Sequence, residues 1–208
     1  MPRNVDAALR RQQIVEAVKR IVVADGLGRV SLREVAAEAG LVVGSVRHYF
    51  ATSAQLAAHA FEAVTDGVLA RLEAAAAEPS AVTDEVVVAQ LCQLLPLDEG
   101  RAVDLCVWTE FKLAARTRPE LGAEAERSHR AVAATLGRAL VRLRPGLGQE
   151  DLVREAERLL ATVEGLGLHA MLHGRWLDAD LCTDVLRAQV ASIGLAGAGA
   201  PCAAAGIH

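Results

Sequence analysis

The chain has 208 residues, of which 52% are hydrophobic but only 3% aromatic, so its core must consist mainly of alanine, valine and leucine. Its formal net charge of -4 at pH 7 argues against a protein that coats nucleic acid without regard to sequence. The charge is unevenly distributed, because residues 1–60 hold 8 Lys and Arg against 5 Asp and Glu, whereas the rest hold 14 against 21. A basic N-terminal part on an acidic body is typical of proteins that bind phosphates at one end.

The sequence predicts neither a secretory signal nor a membrane span. The N-terminus, MPRNVDAALRRQQ, lacks the apolar core of a secretory signal, and no stretch reaches the roughly 18 uninterrupted apolar residues of a membrane helix. We therefore expect a cytoplasmic protein without membrane contact. The cysteines form no CxxC or Cys/His cluster, which favours buried thiols at the first three, with a redox pair as the alternative. They are Cys92, Cys106, Cys182 and Cys202.

The most informative stretch is residues 31–50, which follow a first helix predicted over residues 7–25. Ser31 and Glu34 have the spacing of a capping box, the apolar residues after Ser31 recur at i, i+3, i+4 and i+7, and Gly40 can end that helix. A second short helix is predicted over residues 43–49. Two short helices joined by a tight glycine-containing turn are typical of the helix-turn-helix, whose second helix lies in the DNA major groove.

The remaining chain is also predicted to be helical, because no run alternates apolar and polar residues as a strand would. A cap formed by Thr52 and Gln55 opens a helix that runs toward Pro79, and further helices are predicted over residues 83–95, 100–118, 119–143, 149–174 and 178–193. We expect an all-α fold of about nine helices. Residues 1–52 would form a three-helix helix-turn-helix domain, residues 53–194 a helical domain, and residues 195–208 a disordered tail.

The last two predicted helices carry wider apolar surfaces than packing against one core requires. A two-fold interface between two copies fits that width, and a major-groove reader usually needs two half-sites. A helix pair buried within a single chain is the alternative. We predict a homodimer with the interface residues Leu159, Leu160, Val163, Leu186, Val190 and Ile193.

Residues 13–60 resemble the TetR family of bacterial one-component regulators. The resemblance rests on a first helix ending at glycine, then SLREVAAEAG, GSVRHYF and a helix restarting near SAQL. The segment EGLGLHAMLHGRW at residues 164–176 resembles the end of the penultimate helix in the actinobacterial, BetI-like branch. The resemblance implies a homodimer with an N-terminal DNA-binding domain, a C-terminal ligand-sensing and dimerisation domain, and repression relieved by a small molecule.

The resemblance also implies the positions of the DNA contacts. Ser31 corresponds to a hydroxyl that bonds a phosphate, and Tyr49 to a residue that touches the DNA backbone. The predicted DNA-binding residues are Ser31, Arg33, Val43, Gly44, Ser45, Arg47, His48, Tyr49 and Ser53. Ordinary solvated charge is an equal alternative for Arg33, Arg10 and Arg11.

Three residues depart from the family's usual pattern. Val42 replaces a serine, so the second helix of the motif lacks a side-chain N-cap, a loss of about 1 kcal/mol in isolation. Arg47 replaces a tyrosine and supplies a planar cation for phosphate or guanine. Ser53 replaces a lysine, which removes one phosphate contact and predicts a salt slope shallower by about one unit.

A ligand cavity in the second domain is expected from the resemblance, and its candidate residues are the larger side chains there. They are Trp108, Phe111, His129, Leu136, Met171 and Trp176, with ordinary core packing as the alternative. His169 and His173 have a metal-binding spacing but no third ligand nearby, so we expect no metal site. No catalytic motif and no cofactor-binding motif occurs, so we expect neither catalysis nor a cofactor.

The sequence therefore favours a TetR-type regulator, a repressor that binds palindromic double-stranded operator DNA as a dimer and is released by a small apolar effector. Activation in place of repression stays open. The alternative is a helical small-molecule-binding protein with a degenerate DNA-binding head. The basic head and the Ser31 cap favour the regulator, whereas Val42 and Ser53 favour the alternative.

Overall fold

The computed structural model describes residues 2–76, 82–173 and 178–194, and within these ranges the chain forms α-helices and no strand. The helices are α1 (Pro2–Asp25), α2 (Leu32–Glu38), α3 (Val43–Tyr49), α4 (Ser53–Ala76), α5 (Asp84–Leu91), α6 (Glu99–Ala114), α7 (Pro119–Leu143), α8 (Gln149–His173) and α9 (Ala179–Ala191). Single turns of 3-10 helix occur at Leu27–Arg29 and Cys92–Leu94. The predicted all-α fold is confirmed, and the predicted tail lies outside the described residues.

The N-terminal head consists of α1, α2 and α3 around a small apolar core. Ile14, Val35 and Val46, one from each helix, are fully buried. Gly40 has φ 66, and the amide of Leu41 donates to the carbonyl of Ala36 at 2.8 Å, which is the 6→1 bond of a Schellman motif. The chain therefore turns sharply enough between α2 and α3 to place α3 on the outside of the head.

Helix α4 connects the head to the body. Its start is capped twice, because Thr52 Oγ1 accepts from the amide of Gln55 at 3.1 Å and Gln55 Oε1 accepts from the amide of Ala51 at 3.0 Å. On its buried face Phe61 stacks on Phe111 of α6, with ring centroids 5.1 Å apart. This single helix therefore belongs to the apolar cores of both the head and the body.

The body also buries a small polar cluster among its helices. The indole Nε1 of Trp108 in α6 donates to Ser128 Oγ of α7 at 2.8 Å, and Thr65 Oγ1 of α4 donates to the same oxygen at 3.1 Å. All three side chains are nearly inaccessible to solvent. Since buried polar groups are stable only when they are hydrogen-bonded, the cluster fixes how α4, α6 and α7 meet and holds the indole ring in one orientation.

An ion-pair cluster joins the head to the body. The carboxylate of Asp104 in α6 accepts from Lys19 Nζ of α1 at 2.9 Å and from Arg71 of α4 at 2.6 Å. Lys19 also lies 3.1 Å from Glu16. The carboxylate is mostly buried, so Asp104 fixes the position of α1 relative to two helices of the body.

Candidate nucleic-acid interface

The hydroxyl of the half-buried Ser31 caps the start of α2. Ser31 Oγ accepts from the amide of Glu34 at 3.1 Å, which is one half of the predicted capping box, and the Glu34 carboxylate lies 3.8 Å from Arg29. A serine hydroxyl has one donor besides its acceptor sites. Ser31 can therefore cap α2 and still donate to a phosphate.

The outward face of α3 carries half of the six residues that were predicted on this helix to contact DNA. Val46 is fully buried and Phe50, just after the helix, is nearly so; both hold α3 on the head. Gly44, Arg47 and His48 are exposed on the opposite face. A Cβ at Gly44 would meet no atom within 4 Å. The exposed face of α3 therefore carries a guanidinium and an imidazole next to Gly44, where no side chain covers the backbone. The three other predicted positions on α3, Val43, Ser45 and Tyr49, are half-buried.

Helix α1 contributes Arg11, for which the sequence allows a DNA contact and ordinary solvated charge as equal alternatives. The Arg11 guanidinium lies 5.6 Å from the ring centroid of Tyr49, and the Tyr49 ring meets His48 edge-on with centroids 5.1 Å apart. Arg11 is thereby brought beside α3, although it is distant in sequence. Local patterning carries no signal for such a contact, because α1 shows only an ordinary alternation of charged and apolar positions.

Two bonds between α1 and α2 fix the angle of the motif. Gln13 Nε2 donates to the carbonyl of Ala39 at 2.9 Å, and Arg20 Nε lies 2.5 Å from Glu38 Oε1. Both act at the C-terminal end of α2, next to the turn that leads into α3. They support the geometry of the motif without using the side chains on its outer face.

The N-terminus of α3 has no side-chain cap. Val42 occupies the N-cap position without a side-chain hydrogen bond, and its side chain is 72% exposed. The predicted absence of a side-chain cap is therefore confirmed. The exposed Val42 contributes neither a cap nor apolar burial to the stability of the head.

We expect Val42→Ser to raise the free energy of unfolding by about 1 kcal/mol, because a serine oxygen can accept from an α3 amide that has no side-chain partner. Urea denaturation followed by circular dichroism measures the change. Val42→Ala is the matched control, since it removes the same exposed side chain without adding an acceptor. Equal stability of the serine and alanine variants would contradict this explanation.

The structure does not gather the predicted ligand residues into one cavity. Phe111 and Leu136 are fully buried core residues, and Trp108 donates to Ser128 within the core. His129 lies on the surface with Nε2 3.1 Å from Glu157. Met171 is half-buried, and Trp176 lies outside the described residues.

The predicted interface residues are placed inside the single chain. Leu159, Leu160, Val163, Leu186, Val190 and Ile193 are each 2% exposed or less, because α8 and α9 use them to pack on the other helices of the body. They offer no surface to a second copy in this conformation. The outer faces of the same two helices carry Leu172 and Leu181, which are 65% and 47% exposed, together with the exposed Ala188 and Ala191.

Two thiols are poorly suited to redox chemistry. Burial raises the pKa of Cys106, with a further contribution from Glu110, and burial likewise raises the pKa of Cys182, assisted by Asp178 and Cys92. The reactive thiolate is therefore scarce at neutral pH. Within the described ranges no three His, Cys, Asp or Glu side chains are grouped as a metal site would need, and no helix there is long and apolar enough to span a membrane.

Comparison with known proteins covers both parts of the chain. Residues 83–195 match the family described as BetI-type transcriptional repressor, C-terminal. The chain is 32% identical to the HTH-type transcriptional regulator PksA of Bacillus subtilis (strain 168), over 93% of this chain and 94% of that protein. A transcriptional regulator from Rhodococcus sp. Rha1 is 29% identical, with a TM-score of 0.80 over 92% of this chain and 99% of that one. The multidrug binding protein EbrR, solved with ethidium, is 30% identical, with a TM-score of 0.61 over 86% of this chain and 98% of that one.

Proposed function

The chain belongs to the TetR family of transcriptional regulators, and we propose that it is a repressor that binds a near-palindromic operator as a homodimer and is released by a small-molecule effector. The observation that carries the proposal is the outer face of α3, where Gly44, Arg47 and His48 are exposed opposite the buried Val46. Such a face fits the major groove of DNA, which admits one α-helix and displays base edges to it.

The residues around α3 divide into two roles in this proposal. Arg47 has the planar fork that can bond guanine or phosphate with two parallel hydrogen bonds. In this proposal Ser31, Tyr49 and Arg11 bind the phosphate backbone, which sets the register of the helix in the groove. Ser53, exposed at the first turn of α4, is a neutral contact at a position where a cation would strengthen binding.

We expect Ser53→Lys to steepen the salt dependence of operator binding, because each phosphate contact contributes about 0.9 to the slope of log K against log salt and a dimer has two such positions. Fluorescence anisotropy at four salt concentrations measures the slope. Gln149→Lys adds the same charge to the exposed start of α8 and should leave the slope unchanged. Equal slopes for both lysine variants would remove Ser53 from the proposed interface.

The proposed dimer uses the outer faces of α8 and α9. Leu172 on α8 and Leu181, Ala188 and Ala191 on α9 are exposed apolar residues, and the small alanines allow helices of two copies to approach closely. A two-fold axis through this surface would pair each patch with itself. The heads of the two copies would then face the same side of one DNA duplex.

We expect the double substitution of Leu172→Glu and Leu181→Glu to weaken the dimer by more than about 100-fold, since like charges facing each other across an interface cost several kcal/mol. Light scattering at micromolar concentration measures the molar mass. Val141→Glu, at an α7 residue that is 50% exposed, should remain dimeric. A double variant with the mass of the wild-type dimer would place the interface elsewhere.

For an effector to release the operator, the dimer must have two arrangements that differ in the distance between its two heads. Only one of these arrangements matches the spacing of the operator half-sites. A ligand that binds the non-matching arrangement more tightly shifts the population by a few kcal/mol. EbrR, a relative with 30% identity, binds ethidium, which supports a small organic effector for this chain. The body, rich in Ala, Val and Leu, favours an effector with apolar groups.

Selection of genomic DNA fragments by the purified protein at two salt concentrations tests this function. We expect a few fragments that share an inverted repeat and remain bound at the higher salt. Enrichment without a shared sequence, lost at the higher salt, would mean that the head only attracts phosphates. A helical binding protein with a degenerate head would then be the better description, and the uncapped start of α3 favours that alternative.

A further inference from the structure

Val42 is the most exposed large apolar residue in the part of the chain that the structure describes. It is 72% exposed, whereas the next in order, Leu172 on the face proposed for the dimer, is 65% exposed. Single exposed apolar residues are common on protein surfaces. Val42, however, occupies the N-cap of α3, where a short polar side chain would stabilise the helix. The free protein therefore gives up a cap at this position and buries nothing in return.

Val42 lies at the end of α3 that is expected to meet base edges. In helix-turn-helix proteins the N-terminal residues of the recognition helix make those contacts. A Cβ at Gly44 would meet no atom within 4 Å, and glycine itself adds no side chain, so the first turn of α3 can approach the DNA closely. Arg47 is exposed one turn further along the helix. The surface offered to the groove is therefore apolar at Val42, uncovered at Gly44 and cationic at Arg47.

An apolar side chain can distinguish one base in the major groove. Thymine displays a C5-methyl group there, whereas the edges of the other three bases display hydrogen-bond donors and acceptors. Valine cannot form hydrogen bonds through its side chain, so it can favour a sequence only through that methyl group. Burying one methyl-sized group favours binding about fourfold, and a dimer that makes the contact in both half-sites gains about 15-fold.

We propose that Val42 determines part of the operator sequence by packing against the C5-methyl group of one thymine in each half-site. The inference rests on the proposed function, because it assigns a base contact to a residue of the operator-binding head. It also gives a reason for the missing cap, since a serine at this position would cap α3 but would lose the apolar contact. Val42 is then a specificity-determining residue beside the predicted DNA contacts of α3.

Replacement of thymine by deoxyuridine in the selected operator tests the contact, because uracil keeps the base pair and lacks only the methyl group. Each thymine is replaced in turn, at the matching positions of both half-sites, and fluorescence anisotropy measures the affinity of the full-length protein. Wild-type protein should lose about 15-fold at one position. At that position Val42→Ala, which lacks both γ-methyl groups, should bind the thymine and uracil operators within about twofold of each other.

Val23→Ala is the matched control, because it makes the same substitution at an exposed valine of α1 in the same head. It should keep the full wild-type preference for thymine over uracil. Val42→Ser separates base reading from a structural role. It should unfold at a higher urea concentration than the wild-type protein, because it gains a cap, and should nevertheless lose the preference for thymine.

The possible failures of this inference and of the proposed function are distinguishable. A wild-type protein that tolerates uracil at every position, or a cost of uracil that is unchanged in Val42→Ala, would overturn the thymine contact and leave operator binding intact. A selection that yields no shared DNA sequence would overturn the proposed function, and the thymine contact with it.

Discussion

Replacement of Arg47 by alanine is expected to weaken operator binding by about 100-fold or more, because each base or phosphate-directed arginine contributes roughly 1–3 kcal/mol and a dimer places two of them on the DNA. Arg47 is exposed on the outer face of α3, so the substitution removes no core contact. The fold and the dimer should be unchanged. Fluorescence anisotropy with operator DNA measures the loss, and thermal melting checks the fold.

The matched control for this result is Arg130→Ala. Arg130 is an exposed arginine on α7 that pairs with Glu126, so the control removes the same charge from the body. Its operator affinity should equal that of the wild-type protein. Wild-type affinity in the Arg47 variant as well would mean that α3 is not the recognition helix.

Replacement of Asp104 by alanine is expected to lower the free energy of unfolding by about 2–4 kcal/mol, since it leaves two cations without their shared partner in a mostly buried site. Those cations are Lys19 of the head and Arg71 of α4. Urea denaturation measures the loss. Glu85→Ala breaks an exposed pair with Arg187 and should cost little, because surface ion pairs contribute less than about 1 kcal/mol. Equal costs for the two variants would contradict a special role for Asp104.

The same cluster predicts a dependence of stability on alkaline pH. Burial lowers the pKa of Lys19, but the hydrogen bonds and charges of Asp104 and Glu16 outweigh it, so its pKa is raised above 10.5. A raised pKa in the folded state means that the contribution is complete below 10.5 and is lost as the pH rises through the folded value. Wild-type protein should therefore lose more stability in that range than the Asp104 variant.

The helices and the motif could be predicted from the sequence because their signals are local. The Ser31 cap, Gly40 and the apolar spacing around Val46 each act within a few residues, and the observed α3 covers the predicted residues 43–49. Once the buried face of α3 is known, the helical period determines which of its residues are exposed. Local patterning is sufficient to predict a helix that packs one apolar face against one core.

The residues of a dimer interface or a ligand site are set by contacts between residues that are distant in sequence, and local patterning cannot specify them. Leu160 and Leu186 lie on wide apolar surfaces because α8 and α9 each pack against more than one helix of their own chain, and the width itself does not reveal whether the neighbour is internal. Lys112 and Glu164 are 52 positions apart. Only the fold places the ammonium of the ion pair that they form over the Trp108 ring.

Sequence-specific binding is the central claim, and its most direct test is the ratio of two affinities. The selected operator and a randomised duplex of equal length and composition are titrated with the full-length protein at physiological salt. We predict a ratio of at least about 1,000, which is the lower end for specific DNA-binding proteins. Equal affinities for the two duplexes would contradict the assignment of this chain as an operator-reading regulator.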